Sequence, residues 1–187
     1  MPGVIAFFIA IFILPSSSWS QARTSDAILC SSIYYIVTSM TEGNKAGQEM
    51  LMKQQEIFNL IYVSKQKRSV SNGEISELQH QHLMYLSDLY DKNPSKVYNL
   101  EMQCSTWRET FVPSLMQLSK TAKNLEQLKR GMRKFPPMGN KTFKRSDPRW
   151  AASKSMMDLS FESWSRNGRV TPYSIKQNLL NSLKKKN

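Results

Sequence analysis

Apolar residues recur every three or four positions through most of the chain, which is the spacing of one face of an α-helix. Between residues 25 and 131 the pattern predicts five helices joined by short segments. No stretch alternates apolar and polar residues for long enough to predict a strand. Short connections place consecutive helices antiparallel, so the predicted fold class is all-α, an up-down bundle of four to five helices.

Capping residues mark the helix boundaries. Ser, Thr, Asn and Asp side chains satisfy the free amides at a helix N-terminus, and proline fits the first helical position. The predicted starts are Ser25 or Asp26, Lys45, Ser71 or Asn72, and Asn93 followed by Pro94. Pro113 lacks an amide donor, so the fourth helix is predicted to kink or restart there, and a fifth helix is predicted to end near Gly131.

The third predicted helix carries a histidine on its apolar stripe. The stripe residues are Ile75, Leu78, His82, Tyr85 and Leu89. A buried imidazole needs a hydrogen-bond partner. His82 is therefore interpreted as a core or boundary residue bonded to a tyrosine or a carbonyl group, and the alternative is a ligand-binding or proton-transfer residue.

The pattern weakens beyond Gly131. Phe135-Pro136-Pro137 is typical of a linker, and two weaker helices are predicted to begin at Asp147-Pro148 and Thr171-Pro172. Helices this short are not stable alone in water, so they either dock on the bundle or fluctuate. The predicted organisation is a bundle over residues 23–132 and a basic, partly helical extension over 133–187.

The N-terminus resembles a secretory leader. The run Val4–Leu14 is uncharged and mostly apolar but too short to span a bilayer, and it ends at Pro15 before a Ser20-x-Ala22 cleavage pattern. A basic segment before the apolar run is missing. Residues 1–22 are predicted to be a signal peptide, which makes the protein periplasmic or extracellular. The alternatives are an uncleaved N-terminal membrane anchor and a buried core helix.

Export changes the interpretation of the two cysteines, Cys30 and Cys104. Disulfides persist in oxidising compartments, and two cysteines allow one pairing. In an up-down bundle both residues lie near the same end. The sequence therefore predicts a Cys30–Cys104 disulfide, and the alternative is two buried thiols.

Charge is distributed unevenly. Residues 23–128 contain 11 basic and 11 acidic side chains, whereas residues 129–187 contain 15 basic and 3 acidic ones. Such asymmetry favours contact with an acidic surface, and the alternative is a solvated tail. Aromatic residues are interleaved with these cations, and they either join the contact or pack on the bundle. The candidate binding residues are Arg133, Lys134, Lys144, Arg145, Arg149, Trp150, Trp164, Lys184, Lys185 and Lys186.

Catalytic motifs are missing from the sequence. There is no Gly-x-Ser-x-Gly elbow and no glycine-rich phosphate loop. Glu77-x-x-His80 matches half of a di-iron bundle motif, but the chain has only two histidines and cannot supply a second copy. The protein is predicted not to be an enzyme, with no cofactor and no metal.

These observations lead to one hypothesis and two rivals. The leading hypothesis is an exported, non-enzymatic binding or adaptor protein whose bundle contacts an unknown protein partner and whose cationic extension contacts an acidic surface. The first rival is a cationic protein whose tail binds a membrane or, less favoured, nucleic acid. An anionic membrane or envelope surface is the nearer polyanion for an exported protein. The second rival is an enzyme or ligand-binding bundle that uses His82.

Overall fold

The computed structural model describes residues 18–41 and 43–184, so residues 1–17 of the predicted signal peptide lie outside the described residues. Seven α-helices and no strand are found in the described part of the chain, which confirms the all-α class. The helices are α1 (Ser18–Ser39), α2 (Lys45–Lys65), α3 (Asn72–Lys92), α4 (Pro94–Thr121), α5 (Leu125–Met132), α6 (Trp150–Arg166) and α7 (Pro172–Lys184).

The first helix begins earlier than the predicted cap at Ser25 or Asp26. α1 starts at Ser18, and the predicted cleavage pattern around Ser20 lies in its first turns. The sequence contains neither glycine nor proline from Ser18 to Ser39, so no helix-breaking residue separates Ser18 from the predicted cap. None of the helices within residues 18–41 and 43–184 is long and apolar enough to cross a bilayer.

α1 lies at the centre of the fold. It contacts α2, α3, α4 and α6. All side chains from residue 27 to residue 37 are buried except Tyr35, which is half-buried. This segment is apolar or small on nearly every side, and such a helix is stable when other helices surround it. α1 therefore has neighbours from the predicted bundle, α2, α3 and α4, and one from the predicted extension, α6.

α4 continues through Pro113, so the alternative that the helix restarts there is wrong. Pro113 is exposed, so the carbonyl group that loses its amide partner one turn earlier can bind water instead. The helix ends at Thr121, and the short α5 starts after Asn124, whose side-chain oxygen accepts a hydrogen bond from the Gln127 amide at 2.9 Å.

α6 belongs to the same core as α1 and α4, both of which it contacts. Its inward residues are Trp150, Met157, Phe161 and Trp164. Phe161 is 1% exposed and stacks on Tyr90 of α3, with ring centres 4.0 Å apart. Because a helix of this length is marginal alone, burying its apolar face is what stabilises it. The predicted extension therefore contains a helix that packs in the core.

A carboxylate also joins α6 to its neighbours. Oδ1 of Asp158 accepts hydrogen bonds from the hydroxyl groups of Tyr90 on α3, at 2.7 Å, and of Tyr98 on α4, at 2.5 Å. Burial alone would raise the pKa of Asp158, but hydrogen bonds from Lys154 and both tyrosines outweigh burial and lower the pKa. Burial and the nearby carboxylate raise the pKa of Tyr98 to about 12. The carboxylate therefore stays ionised, and the hydroxyl groups remain its donors.

Candidate binding surface

The segment from residue 133 to residue 149, here called the strap, joins α5 to α6 without forming a helix. It runs along α4, where three side chains spaced four residues apart bind it. The pairs are the Trp107 indole with the Pro136 carbonyl at 2.8 Å, the Gln103 amide with the Lys141 carbonyl at 2.9 Å, and the Phe143 amide with Asn99 Oδ1 at 2.7 Å. The strap thus lies antiparallel to α4 and is held at each turn of the helix.

The beginning of the strap is attached to the C-terminal end of α2. Arg133 Nε donates to the Ser64 carbonyl at 2.7 Å, and Lys65 Nζ donates to the Phe135 carbonyl at 3.1 Å. Burial lowers the pKa of Lys65, and the charge of Asp26 partly opposes this effect. The Phe135 ring is buried. These contacts fix the strap before it reaches α4.

The middle of the strap lies against the predicted disulfide. Cys30 of α1 and Cys104 of α4 are joined, with Cα atoms 5.5 Å apart. Met138 Sδ lies 3.5 Å from one sulfur and 3.8 Å from the other, as van der Waals contacts. The disulfide therefore connects the central helix to the helix that carries the strap. A disulfide is compatible with an oxidising, exported compartment.

Two strap cations are positioned by an aromatic ring. Phe143 is 4% exposed, and its ring centre lies 5.0 Å from Lys141 Nζ and 4.9 Å from Arg149 Cζ. Cations are attracted to an aromatic face at these distances. Arg149 also donates to Thr106 Oγ1 at 3.1 Å, and its hydrogen bonds lower the pKa of Asp147. Both positive charges are therefore held in defined places.

Positive charge is concentrated on the strap and α5. Residues 129–149 contain eight basic side chains, and Asp147 is the one acidic residue among them. Lys134, Lys144 and Arg145 are exposed. Asp147 itself forms an ion pair with Arg149 at 3.3 Å, which leaves the remaining charge strongly positive. The basic side chains of residues 129–149 therefore form a positively charged surface on an ordered backbone, and this surface is here called the cationic surface.

The remaining residues that the sequence predicted for binding are not part of the cationic surface as the structure describes it. Trp150 and Trp164 are 8% and 2% exposed, so both rings belong to the core rather than to the cationic surface. The reason is that their helix is stabilised by burying its apolar face. Lys184 is the last residue of α7, but its side chain is outside the described set, and Lys185 and Lys186 lie outside the described residues.

Two depressions flank the strap, and both are lined by Thr110 and Pro136. The larger lies between α4 and α5, has a volume of about 540 Å³ and includes Lys134 in its lining. The smaller lies between α4 and the strap and has a volume of about 190 Å³. The cationic surface is thus grooved rather than flat.

The predicted apolar stripe of α3 is only partly the buried face of that helix. His82 is half-buried, and burial lowers its pKa, but Tyr85 on the predicted stripe is 52% exposed. α3 is rotated relative to the prediction because it packs on α1 and α4 together. The buried polar residues of α3 are Ser87 and Gln79, and Gln79 Nε2 donates to Ser31 Oγ at 2.8 Å.

His80 contacts the start of α7. Its Nδ1 lies 2.9 Å from Thr171 Oγ1, and its ring lies 5.3 Å from the Tyr173 ring. Thr171 in turn accepts a hydrogen bond from the Ser174 amide, so this histidine helps to seat the α7 cap. No group of three or more His, Cys, Asp or Glu side chains suited to a metal ion occurs among the residues that the structure describes.

Fold and surface together define an all-α, disulfide-containing protein with an ordered cationic surface. Neither a protein-family model, nor a curated protein, nor a solved structure matches the chain. The functional argument therefore rests on the surface itself.

Proposed function

We propose that this is an exported, non-enzymatic binding protein whose cationic surface attaches to an acidic face of a partner protein. The observation that carries the proposal is the strap, on which basic side chains stand on a backbone that α4 holds at three points. A backbone that is already ordered loses little conformational entropy when its side chains meet a partner. Complementary charge also raises the rate of association and selects against other basic proteins.

Aromatic burial favours a protein partner over a nucleic acid or a membrane. Binding of single strands uses exposed rings on which bases stack, and interfacial membrane binding uses exposed Trp or Phe beside the headgroups. The rings in and beside the strap, Phe135, Phe143 and Trp150, are all buried. The surface therefore offers charge without an exposed aromatic platform.

Export is part of the same proposal. The leader over residues 1–22 and the disulfide both favour a compartment outside the cytosol. Intact mass of the purified chain tests this directly, because leader removal and thiol oxidation each change the mass.

Charge reversal on the strap tests the proposal. The variant with Lys144→Glu and Arg145→Glu is expected to bind a labelled polyglutamate peptide about tenfold more weakly than the wild type, or worse, because two attractive contacts become repulsive. Fluorescence anisotropy at low and physiological salt measures the effect, and added salt is expected to weaken wild-type binding.

The matched control reverses two lysines on α2. Lys45 and Lys53 are exposed in the first half of α2, whereas the strap is attached at its C-terminal end. Lys45→Glu with Lys53→Glu changes the net charge equally and is expected to retain most of the binding. Equal losses in both double variants would show that net charge, not the strap, determines binding. Tighter binding to phosphatidylglycerol vesicles or to a single-stranded oligonucleotide would favour the rival class.

A further inference from the structure

We infer that the smaller cavity, between α4 and the strap, receives one aromatic side chain from the acidic partner segment. This inference rests on the proposed function and specifies the partner's chemistry: an acidic peptide segment with a single aromatic anchor. The cavity adds selectivity that charge alone does not provide, because many acidic surfaces lack a suitably placed ring.

Size and lining limit what the cavity can hold. Its volume is about 190 Å³, and its walls include Trp107, Pro137 and Phe143. An apolar cavity of about 150 Å³ is enough to hold benzene, whereas sites for drug-sized ligands have volumes of about 300–1,000 Å³. The cavity therefore fits one ring better than a cofactor or a whole small molecule.

The positive charges beside the cavity indicate which residues would flank the aromatic anchor in the partner segment. Lys141 is part of the lining, and Thr106, also part of it, holds the Arg149 guanidinium at 3.1 Å. Acidic residues next to an inserted ring would meet these two cations. An apolar anchor in a pocket with a polar rim is the usual arrangement of an energetic hot spot.

The cavity walls are fixed before any partner arrives. Trp107 is held by the Pro136 carbonyl, and the Phe143 amide is held by Asn99. The Phe143 ring also carries Lys141 and Arg149 close to its face. A preformed cavity loses little conformational freedom when it is filled, which favours measurable affinity from a single side chain.

Two labelled peptides test the inference on the full chain. One is glutamate-rich with a central tryptophan, and the other has alanine in its place. The tryptophan peptide is expected to bind the wild type about tenfold more tightly, equivalent to about 1.4 kcal/mol. It is also expected to shift the NMR resonance of the Trp107 indole N–H, which the alanine peptide leaves in place.

Gly139 supplies the matched variants. It lines the cavity, and a Cβ added there meets nothing within 4 Å. Gly139→Phe places a ring beside the cavity and is expected to block access to it, which removes the preference for tryptophan. Gly139→Ala adds only a methyl group and is expected to reduce the preference for tryptophan less than Gly139→Phe does.

The outcomes separate the two proposals. Equal binding of both peptides to the wild type would overturn the aromatic anchor and leave the proposed function standing. A tryptophan preference that survives Gly139→Phe, with no shift at the Trp107 indole, would also overturn the anchor site. Failure of both peptides to bind would overturn the proposed function as well. A glutamine-based tryptophan peptide that binds as tightly as the acidic one would contradict the required acidic neighbours.

Discussion

Phe161→Ala is expected to lower the free energy of unfolding by about 3–5 kcal/mol, the usual cost of removing a buried aromatic ring. Phe161 is 1% exposed and lies between Tyr90 and Trp164. The total stability of a domain is about 5–15 kcal/mol, so the loss is a large share of it. Chemical denaturation followed by circular dichroism measures the change.

Leu159 provides the control on the same helix. It is 54% exposed, and Leu159→Ala is expected to change the free energy of unfolding by no more than about 0.5 kcal/mol. Two α6 variants with similarly small effects would contradict docking of this helix and would support the division into a bundle over 23–132 and a separate extension. Loosening α6 is also expected to weaken peptide binding, because α6 anchors the C-terminal end of the strap.

Removing the disulfide should have an effect of similar size. Replacing both Cys30 and Cys104 by alanine frees a loop with a sequence separation of 74 residues. The chain-entropy model assigns such a loop about 4 kcal/mol. For a chain of this size the melting temperature should then fall by about 10 °C. Differential scanning calorimetry measures the fall.

The control for the disulfide variant is the wild type in a strong reductant. It is expected to melt close to the alanine variant, because both lack the same covalent constraint. Wild-type protein that melts at the same temperature with and without reductant, and whose two thiols titrate before unfolding, would show that the cysteines are unpaired. That result would also remove the main structural support for export.

Helix starts were largely predictable because capping is local. Ser71 caps α3 with its side-chain oxygen, and Pro94 and Pro172 each stand at the beginning of a helix, as the sequence indicated. The cysteine pairing followed from the number of cysteines and from export. These features depend on a few neighbouring residues or on simple counting, so one sequence contains enough information.

The centre of the fold was not predictable in the same way. Periodicity shows which face of a helix is buried, but it does not show which helices cover that face. α1 is apolar or small on nearly all sides between residues 27 and 37, so the spacing of its apolar residues does not single out one buried face. In α3 the sequence pattern pointed to His82 as the polar residue of the apolar stripe, but it is Gln79 that forms a buried hydrogen bond with Ser31. Packing with distant helices decided both cases.

The candidate site was predictable in charge but not in shape. The excess of basic residues pointed to Lys144, Arg145 and Arg149, which are exposed, and their role in binding stays a prediction. The ordering of their backbone depends on Asn99 and Gln103, which are distant in sequence and carry no charge. Asn99, Gln103 and Trp107 are spaced four residues apart, so they lie on one face of α4. This spacing was the one feature of the sequence that could have predicted a segment lying along that face.

Hydrogen exchange at the Phe143 backbone amide tests most directly whether the cations stand on an ordered strap. This amide donates to Asn99 Oδ1 at 2.7 Å, and the Phe143 side chain is buried. Strong protection in the wild type, lost in Asn99→Ala, is the predicted result. Exchange in the wild type at the rate of an unstructured peptide would contradict the ordered strap and the binding surface built on it.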